Sequence, residues 1–144
     1  MRALLDVNVL IALLDAAHIG HHQAHRWLAD HGAAGWASCP ITQNGCIRIM
    51  SQPTYPGALA AAAVAARLAE AAQHDGHRFW PDDVNLLAPG AIAWSRVLGH
   101  RQVTDNYLLA LAVRHQGRFV TFDSRVQRDA VAGAEPQHLV VLSG

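Results

Sequence analysis

Three aspartates each end an apolar, strand-like run and precede a helix-like run. Asp6 follows the run RALL, Asp105 follows QVT, and Asp123 follows FVTF. In open α/β sheets, ligands bind at the carboxyl ends of the strands and beside the helix starts next to them. Carboxylates that converge there repel one another unless a cation lies between them. The three residues therefore predict a metal site with oxygen ligands, suited to Mg²⁺ or Mn²⁺.

Each aspartate also has a simpler interpretation when it is taken alone. Asp105 fits a first-turn carboxylate that favours the helix dipole, and Asp123 fits an ordinary helix N-cap. Asp6 is harder to explain in this way, because it interrupts an otherwise apolar run. The matched positions of all three favour the metal site over three separate structural roles.

Polar residues close to the aspartates are candidates for supporting roles. Asn8 and Asn106 could orient a metal-binding carboxylate or a ligand water, although Asn106 also fits an ordinary helix-surface residue. Thr121 lies two residues before Asp123 and should point to the same side of its strand, where it could contact phosphate. Strand propensity alone also explains a threonine there.

A phosphate-bearing substrate would require local positive charge and, where it carries flat rings, stacking surfaces. Four arginines lie near these segments, and each also fits a solvent-exposed residue: Arg48, Arg101, Arg125 and Arg128. Tyr107 or Trp80 could stack on such a ring, with core packing the favoured role for Trp80.

The elements that must position these residues alternate between two kinds. Strands are predicted at residues 3–5, 35–39, 78–80, 118–122 and 138–142, and helices at 7–14, 19–30, 40–50, 58–72, 91–98, 105–115 and 125–132. This alternation predicts an α/β protein with a mainly parallel sheet. Right-handed crossovers bring strand ends to one edge, where Asp6 and Asp123 should meet, with Asp105 joining from the first turn of its helix. Residues 1–144 are expected to form a single domain.

Composition limits the function classes. The 144 residues are 51% hydrophobic with zero formal net charge, and all 11 basic residues are arginine. The absence of lysine excludes phosphate-loop enzymes and Schiff-base chemistry. No stretch reaches the roughly 20 apolar residues of a membrane span, and no secretory signal is visible, so a cytoplasmic protein is expected. Cys39 and Cys46 should be reduced, packed thiols.

Three segments together resemble the PIN-domain ribonucleases, and more closely the toxin subunits of VapBC-type toxin–antitoxin pairs. They are LLDVNVLIALL (4–14), VTDNYLLALA (103–112) and FVTFDSR (119–125), and CPITQNGCIRIMSQP (39–53) is similar to the second-helix segment of a toxin subgroup. The resemblance implies a PIN-like α/β/α sandwich with a short, mainly parallel central sheet. It also implies Mg²⁺- or Mn²⁺-dependent cleavage of RNA, with Asp6, Asp105 and Asp123 as the catalytic, metal-binding residues.

The same resemblance implies partners. Toxins of this family commonly form homodimers, and a cognate antitoxin silences them by placing its tail in the active-site groove. A haloacid-dehalogenase-like phosphatase, which also begins with a strand and an aspartate, is disfavoured, because Asn8 stands where it needs a second aspartate and lysine is absent.

One position departs from the family pattern. The family usually has a glutamate where this chain has Gln43. A glutamine carbonyl can still ligate Mg²⁺ or bind its water, but it contributes no charge. Three carboxylates suffice for one hydrated ion, whereas a second ion would be held less well. The alternatives are therefore an active nuclease with one or two metal ions and a catalytically silent module that binds RNA or antitoxin.

Two further clusters have other interpretations. His18, His21, His22 and His25 contain two i,i+4 pairs that could hold a borderline metal on a helix, but no acid or cysteine completes the set. A structural or interaction role, including a pH-sensitive interface, is favoured. The Asp82-Asp83 pair could supply a fourth acid, but a solvated helix start is the favoured interpretation.

Overall fold

The computed structural model describes residues 1–74 and 76–142 and has a five-stranded sheet at its centre. The strands are β1 (Ala3–Leu5), β2 (Trp36–Ser38), β3 (His77–Phe79), β4 (Arg118–Thr121) and β5 (Leu139–Val141). Their order across the sheet is β3-β2-β1-β4-β5, and all four pairings are parallel. The predicted mainly parallel sheet is therefore confirmed.

Five α-helices cover the two faces of this sheet. They are α1 (Val7–Leu14), α2 (His21–His31), α3 (Pro40–Met50), α4 (Ala61–Ala72) and α5 (Arg101–Arg114). Side chains alternate between faces along each strand, so Leu5 and Val120 join a core with α1 to α4 while Leu4 and Phe119 join a second core with α5. This arrangement confirms the α/β/α sandwich.

The strand order creates a topological switch point between β1 and β4. The chain leaves β1 towards β2 and β3 on one side, and later returns to β4 and β5 on the other. The direction of winding therefore reverses between β1 and β4, and ligands bind outside the carboxyl ends of the strands at such a switch point. Asp6 directly follows β1, and Asp123 lies two residues after β4.

The start of α5 differs from the prediction. The β-branched Val103 and Thr104 favoured a strand before Asp105, but the helix begins at Arg101. The propensity cost of such residues in a helix is only a few tenths of a kcal/mol each, and burial of Gln102 on this first turn accompanies the helical conformation. Asp105 consequently lies in the second turn, so its interpretation as a first-turn dipole residue is wrong.

Two predicted helices are absent from the described chain. Residues 91–98 and 125–132 contain only short 3₁₀ turns, at Trp94–Arg96 and Arg128–Ala130. The two segments instead pair with each other, because Ile92 and Val131 form an antiparallel bridge and the Ala93 N–H donates to the Ala130 carbonyl at 2.7 Å. Their apolar residues face each other and the core, a pattern that resembles a helical stripe in the sequence.

The other predicted elements lie within a few residues of their expected bounds. The free thiols of Cys39 and Cys46 are both buried, as expected. Among the described residues, no helix is both long and apolar enough to cross a membrane.

Candidate metal centre

Four hydrogen bonds, one of them from Thr121, fix Asp6 at the junction of β1 and α1. Its backbone N–H donates to the Val120 carbonyl and its own carbonyl accepts from Leu10, both at 2.9 Å. Its carboxylate Oδ1 accepts from the Val7 N–H at 2.8 Å, so this side chain caps α1. The side chain is buried, and burial raises the carboxyl pKa above its usual range although the hydrogen bonds from Thr121 and Val7 oppose the shift.

Thr121 links two of the aspartates. Its buried hydroxyl donates to Asp6 Oδ2 at 2.6 Å and accepts from the Asp123 N–H at 3.1 Å. Neighbouring parallel strands place Thr121 and Asp6 on the same sheet face, which explains the contact. The hydroxyl is therefore engaged in holding the centre, and the suggested contact of Thr121 with phosphate finds no free hydroxyl here.

Asp105 projects towards the other two aspartates from the second turn of α5. Its pKa is raised to about 7, first by burial and then by repulsion from Asp6 and Asp123. Such repulsion acts only over short distances in a protein, so the three carboxylates form one electrostatic cluster. Arg125 opposes the shift only weakly.

Asp123 faces solvent more than Asp6 does and is held by a residue of its own loop. The Arg125 guanidinium donates to both carboxylate oxygens, through Nε to Oδ1 at 3.0 Å and through Nη2 to Oδ2 at 3.1 Å. The Arg125 N–H adds a third bond to Oδ1 at 2.8 Å. These contacts lower the pKa of Asp123, so this carboxylate stays ionised. Asp123 is not the N-cap of an α-helix, because the residues that accept and donate these bonds form a turn and only a short 3₁₀ turn follows.

The two asparagines differ sharply. Asn106 is 1% exposed, and neither its amide nitrogen nor its amide oxygen has a hydrogen-bond partner within the described residues. The helix-surface interpretation of Asn106 is therefore wrong, and an unpaired buried amide costs stability. Asn8 is exposed and lies where two surface pockets meet.

The donor set of this centre fits a hard divalent cation. It offers carboxylate and amide oxygens, the ligands that Mg²⁺ and Mn²⁺ prefer. The pKa values of Asp6 and Asp105 are raised first by burial and further by repulsion between the carboxylates. In the two described ranges, no three acidic, histidine or cysteine side chains are arranged so that they could hold a metal ion as they stand. Arg125 donates to both carboxylate oxygens of Asp123, so a cation at that carboxylate would have to replace the guanidinium.

A groove of about 530 Å³ opens beside the centre. Its walls include Val7 and Thr104, the direct sequence neighbours of Asp6 and Asp105. Other lining residues come from α3 and from the loop after β3, among them Asn44, Arg48 and Asp82. Arg48 is thus the predicted phosphate-contact residue that lies in the groove, and Asp82 reaches its wall although it does not cap an α-helix.

Gln43 is engaged outside this groove. Its amide nitrogen donates to Ser38 Oγ at 3.0 Å, and the same hydroxyl meets His77 Nε2 at 2.8 Å. The position that matches the family's glutamate is therefore tied to β2 and β3. Its role as a metal ligand remains a prediction.

The remaining candidates fall into structural roles. Trp80 is buried and stacks on His115 with ring centroids 4.6 Å apart, and Tyr107 is 6% exposed, so neither offers a face to a base. Arg101 and Arg128 are exposed.

Two members of the histidine cluster contact the last turn of α1. His21 Nδ1 lies 2.7 Å from the Ala12 carbonyl oxygen, and His25 Nε2 lies 2.9 Å from the Leu13 carbonyl oxygen. The structural role favoured for the cluster agrees with these contacts.

Sequence reasoning named Thr121 and Asn106 as candidates but did not anticipate the bond of Thr121 to Asp6 or the burial of Asn106. The contact of Thr121 could have been predicted from the alternation of side chains along β4, because a hydroxyl at the carboxyl end of β4 faces a carboxylate at the carboxyl end of β1. The burial of Asn106 had a weaker signal, namely its position between the apolar residues of α5.

Comparison of this chain with known proteins identifies its family. Residues 3–131 match the family model described as PIN domain. The chain is 51% identical over 142 residues to Ribonuclease VapC44 of Mycobacterium tuberculosis (strain ATCC 25618 / H37Rv), covering 99% of this chain and 100% of that protein. It is 46% identical over 134 residues to Ribonuclease VapC39 of the same strain, covering 92% and 96%.

The fold also matches a solved structure. Mycobacterium tuberculosis VapC20, described as a sarcin-ricin loop cleaving toxin, aligns with a TM-score of 0.60 at 15% identity, covering 93% of this chain and 99% of that one. At that identity the likeness concerns the fold, which is therefore PIN-like. The family match and the nearly full-length identity to VapC proteins show that this chain belongs to the PIN-domain family, as a ribonuclease of the VapC type.

Proposed function

We propose that this ribonuclease is a Mg²⁺- or Mn²⁺-dependent endoribonuclease whose catalytic and metal-binding residues are Asp6, Asp105 and Asp123. The observation that carries the proposal is the pKa of Asp105, raised to about 7 by burial and by the other two carboxylates. A fold that brings uncompensated carboxylates together at the switch point of a parallel sheet is suited to a cation.

Different residues of the chain would have different roles in hydrolysis. Thr121 holds Asp6 in one orientation, Asp105 can accept a proton from an attacking water, and Arg48 lies in the groove where it can bind the RNA backbone. Asn8 and the buried amide of Asn106 would orient ligand waters. When bound, the cation would acidify and orient water and neutralise charge on the phosphate.

The biological setting belongs to the same proposal. The family implies a cognate antitoxin and a homodimer, and an RNA substrate implies a cytoplasmic location. The groove beside the aspartates, with Arg48 on its wall, could receive an acidic or carboxy-terminal segment of an antitoxin.

A catalytically silent module that binds RNA or antitoxin is the second candidate. Two observations favour it, namely the hold of Arg125 on both oxygens of Asp123 and the glutamine at position 43. In that case Arg125 would stay bonded to Asp123, and no cation would bind there.

Cleavage of RNA by purified protein separates the two candidates. Wild-type protein should cut single-stranded and loop RNA with Mg²⁺ or Mn²⁺ and not with EDTA. Asp6→Asn should reduce the rate at least roughly a thousandfold, beyond the 10–100-fold that loss of an outer hydrogen-bond partner gives. Asp129→Asn is the matched control, since Asp129 lies on the surface beside Arg96. Equal, metal-independent inactivity of wild type and Asp6→Asn would favour the silent module.

Gln43→Glu tests the number of ions. If Gln43 lies at the second ion's position, the variant should bind Mn²⁺ more tightly and retain cleavage. If Mn²⁺ affinity is unchanged, Gln43 serves only to contact Ser38.

A further inference from the structure

A second pocket lies on the other side of Asn8 from the catalytic groove. It has a volume of about 470 Å³, within the usual range for small-ligand sites, and Asn8 lines both spaces. Its remaining walls come from the residues that lead into α2 and the first turn of that helix, the residue before Asp123 and the residue after β5. The Asn8 side chain makes no hydrogen bond within the described residues and so is available at the junction.

Two rings form the aromatic part of this pocket. His18 and Phe122 lie nearly parallel, with an angle of 22° between their planes and 6.3 Å between ring centroids. Phe122 packs against Gly20, where an added Cβ would lie 2.6 Å from the Phe122 Cζ. The glycine therefore lets the ring lie close to the backbone, and the chain fixes the ring while leaving part of it accessible.

The side chains that line this pocket indicate which type of ligand it would bind. No arginine, aspartate or glutamate lines this pocket in the described part of the chain, so a phosphate would find no permanent charge there. Aromatic rings, the apolar Ile19 and Leu142, and an amide suit a flat heteroaromatic group with polar edges. The groove on the other side of Asn8, by contrast, contains Arg48.

We propose that this pocket binds one unpaired nucleobase of the RNA, next to the phosphate held at the aspartates. Phe122 directly precedes Asp123, and Asn8 lies two residues after Asp6, so a base stacked on Phe122 belongs to the nucleotide adjoining the cleaved bond. Asn8 would contact the edge of that base, and His18 would flank it. The assignment rests on the proposed ribonuclease site.

Fluorescence of 2-aminopurine tests stacking without cleavage. The probe is a single-stranded RNA dodecamer with one 2-aminopurine, moved along the strand and titrated with protein in Ca²⁺ or EDTA. Wild-type protein should quench the probe at one preferred position. Phe122→Leu should weaken quenching and binding there at least about fivefold, the low end of the loss for one base stack. Phe79→Leu is the matched control, because Phe79 is 54% exposed on the edge strand β3.

Gly20→Ala serves as a second variant that keeps the Phe122 ring but displaces it. It should reproduce the loss, and thermal unfolding of each variant separates misfolding from a local effect. Absence of position-dependent quenching with wild type, or equal quenching by wild type and Phe122→Leu, would overturn the proposal. A normal RNA response combined with weakened antitoxin binding would assign the pocket to the protein partner and overturn it as well.

Cleavage distinguishes this proposal from the one on which it rests. An abasic site next to the cleaved bond should slow wild-type protein at least about fivefold and should have little further effect in Phe122→Leu. If wild type cuts intact and abasic RNA equally, the base site is refuted and the metal-dependent nuclease stands. If nothing is cut but 2-aminopurine is quenched through Phe122, the base site stands and the nuclease proposal fails.

Discussion

Asp6 and Asp123 have similar numbers of hydrogen bonds but very different surroundings. Asp6 is buried and held by a hydroxyl from the sheet and by the first N–H of α1, whereas Asp123 is held by the guanidinium of a loop arginine whose side chain is 61% exposed. Burial raises the pKa of Asp6, and Arg125 lowers that of Asp123. One carboxylate is thus positioned by the fold itself, while the other depends on an exposed ion pair.

The contrast suggests how the centre would accept a cation. Exposed ion pairs contribute about 0–1 kcal/mol, so exchanging Arg125 for a cation costs little. The bond between Thr121 and Asp6 has no solvent to replace it and should persist when the cation is bound. We expect substitutions on the Asp6 side to affect catalysis strongly and substitutions on the Asp123 side to change metal affinity slightly.

Thr121→Val should have the largest effect among these supporting residues. The substitution keeps the shape but removes the bond to Asp6 Oδ2 and the acceptor for the Asp123 N–H. Loss of such a partner typically lowers metal affinity or activity 10–100-fold, and we expect a loss in that range for RNA cleavage. Thr54→Val, at an exposed loop position, is the control. A Thr121→Val enzyme with wild-type kcat and metal affinity would show that Asp6 is held well enough without the hydroxyl.

Metal affinity should depend on pH through Asp105. Because the pKa of this carboxyl is about 7 in the metal-free protein, binding of a cation must release its proton. Mn²⁺ affinity should therefore decrease up to about tenfold per pH unit below pH 7. Calorimetry in buffers of different ionisation enthalpy measures the released proton, and Asp105→Asn should abolish that part of the release.

The stability of the metal-free protein supplies an independent measurement of the same group. The folded protein holds the Asp105 proton more tightly than the unfolded chain, whose carboxyl has a pKa near 3.8. The free energy of unfolding should therefore fall as the pH rises from about 4 to about 7. Asp105→Asn should flatten this dependence, and an unchanged pH profile would contradict the raised pKa.

Asn106→Leu should separate stability from activity. The Asn106 amide is buried without partners, which costs about 1–3 kcal/mol, so an apolar residue of similar volume should stabilise the metal-free protein by about 1 kcal/mol. If the amide orients a ligand water, cleavage should fall roughly tenfold. Urea unfolding and cleavage rates measure the two effects. A more stable variant with full activity would exclude Asn106 from the site.

Arg125→Gln should have the smallest effect. Removing the guanidinium frees both oxygens of Asp123 and removes a positive charge near Asp105. Mn²⁺ should then bind up to about fivefold more tightly at low salt, in line with the contribution of an exposed ion pair. Arg128→Gln, an exposed arginine three residues away, is the control. Weaker Mn²⁺ binding would show instead that Arg125 prepares Asp123 for the ion.

The sequence predicted best those parts of the site that local structure determines. Asp6 follows a three-residue apolar strand and starts a Leu-rich helix, so its position at the sheet edge could be derived from neighbouring residues. Asp105 lies near Asp6 and Asp123 as expected, but on the second turn of its helix, because two β-branched residues obscured the start of α5.

Long-range pairing explains the larger errors. The segments around Ile92 and Val131 have apolar residues at helix-like spacing, but each satisfies its backbone by bonding to the other, 39 residues away. Nothing in either segment alone reveals its partner. The residues around Arg125 do not reveal its contact either. Its guanidinium bonds to both carboxylate oxygens of Asp123 where the first turn of a helix was expected.

The contacts of His21 and His25 with the end of α1 also determine where their protons reside. A carbonyl oxygen only accepts hydrogen bonds, so His21 must carry a proton on Nδ1 and His25 on Nε2. Two histidines one turn apart, with ring centroids 4.4 Å from each other, are therefore fixed in opposite tautomers when neutral. An eight-residue helix is too short to be stable alone, and these two imidazoles satisfy carbonyls at one end while Asp6 satisfies an N–H at the other. The helix that begins after Asp6 is thus anchored at both ends by side chains. The histidine-rich segment therefore helps to hold Asp6 in place, and it does so through one defined tautomer of each histidine.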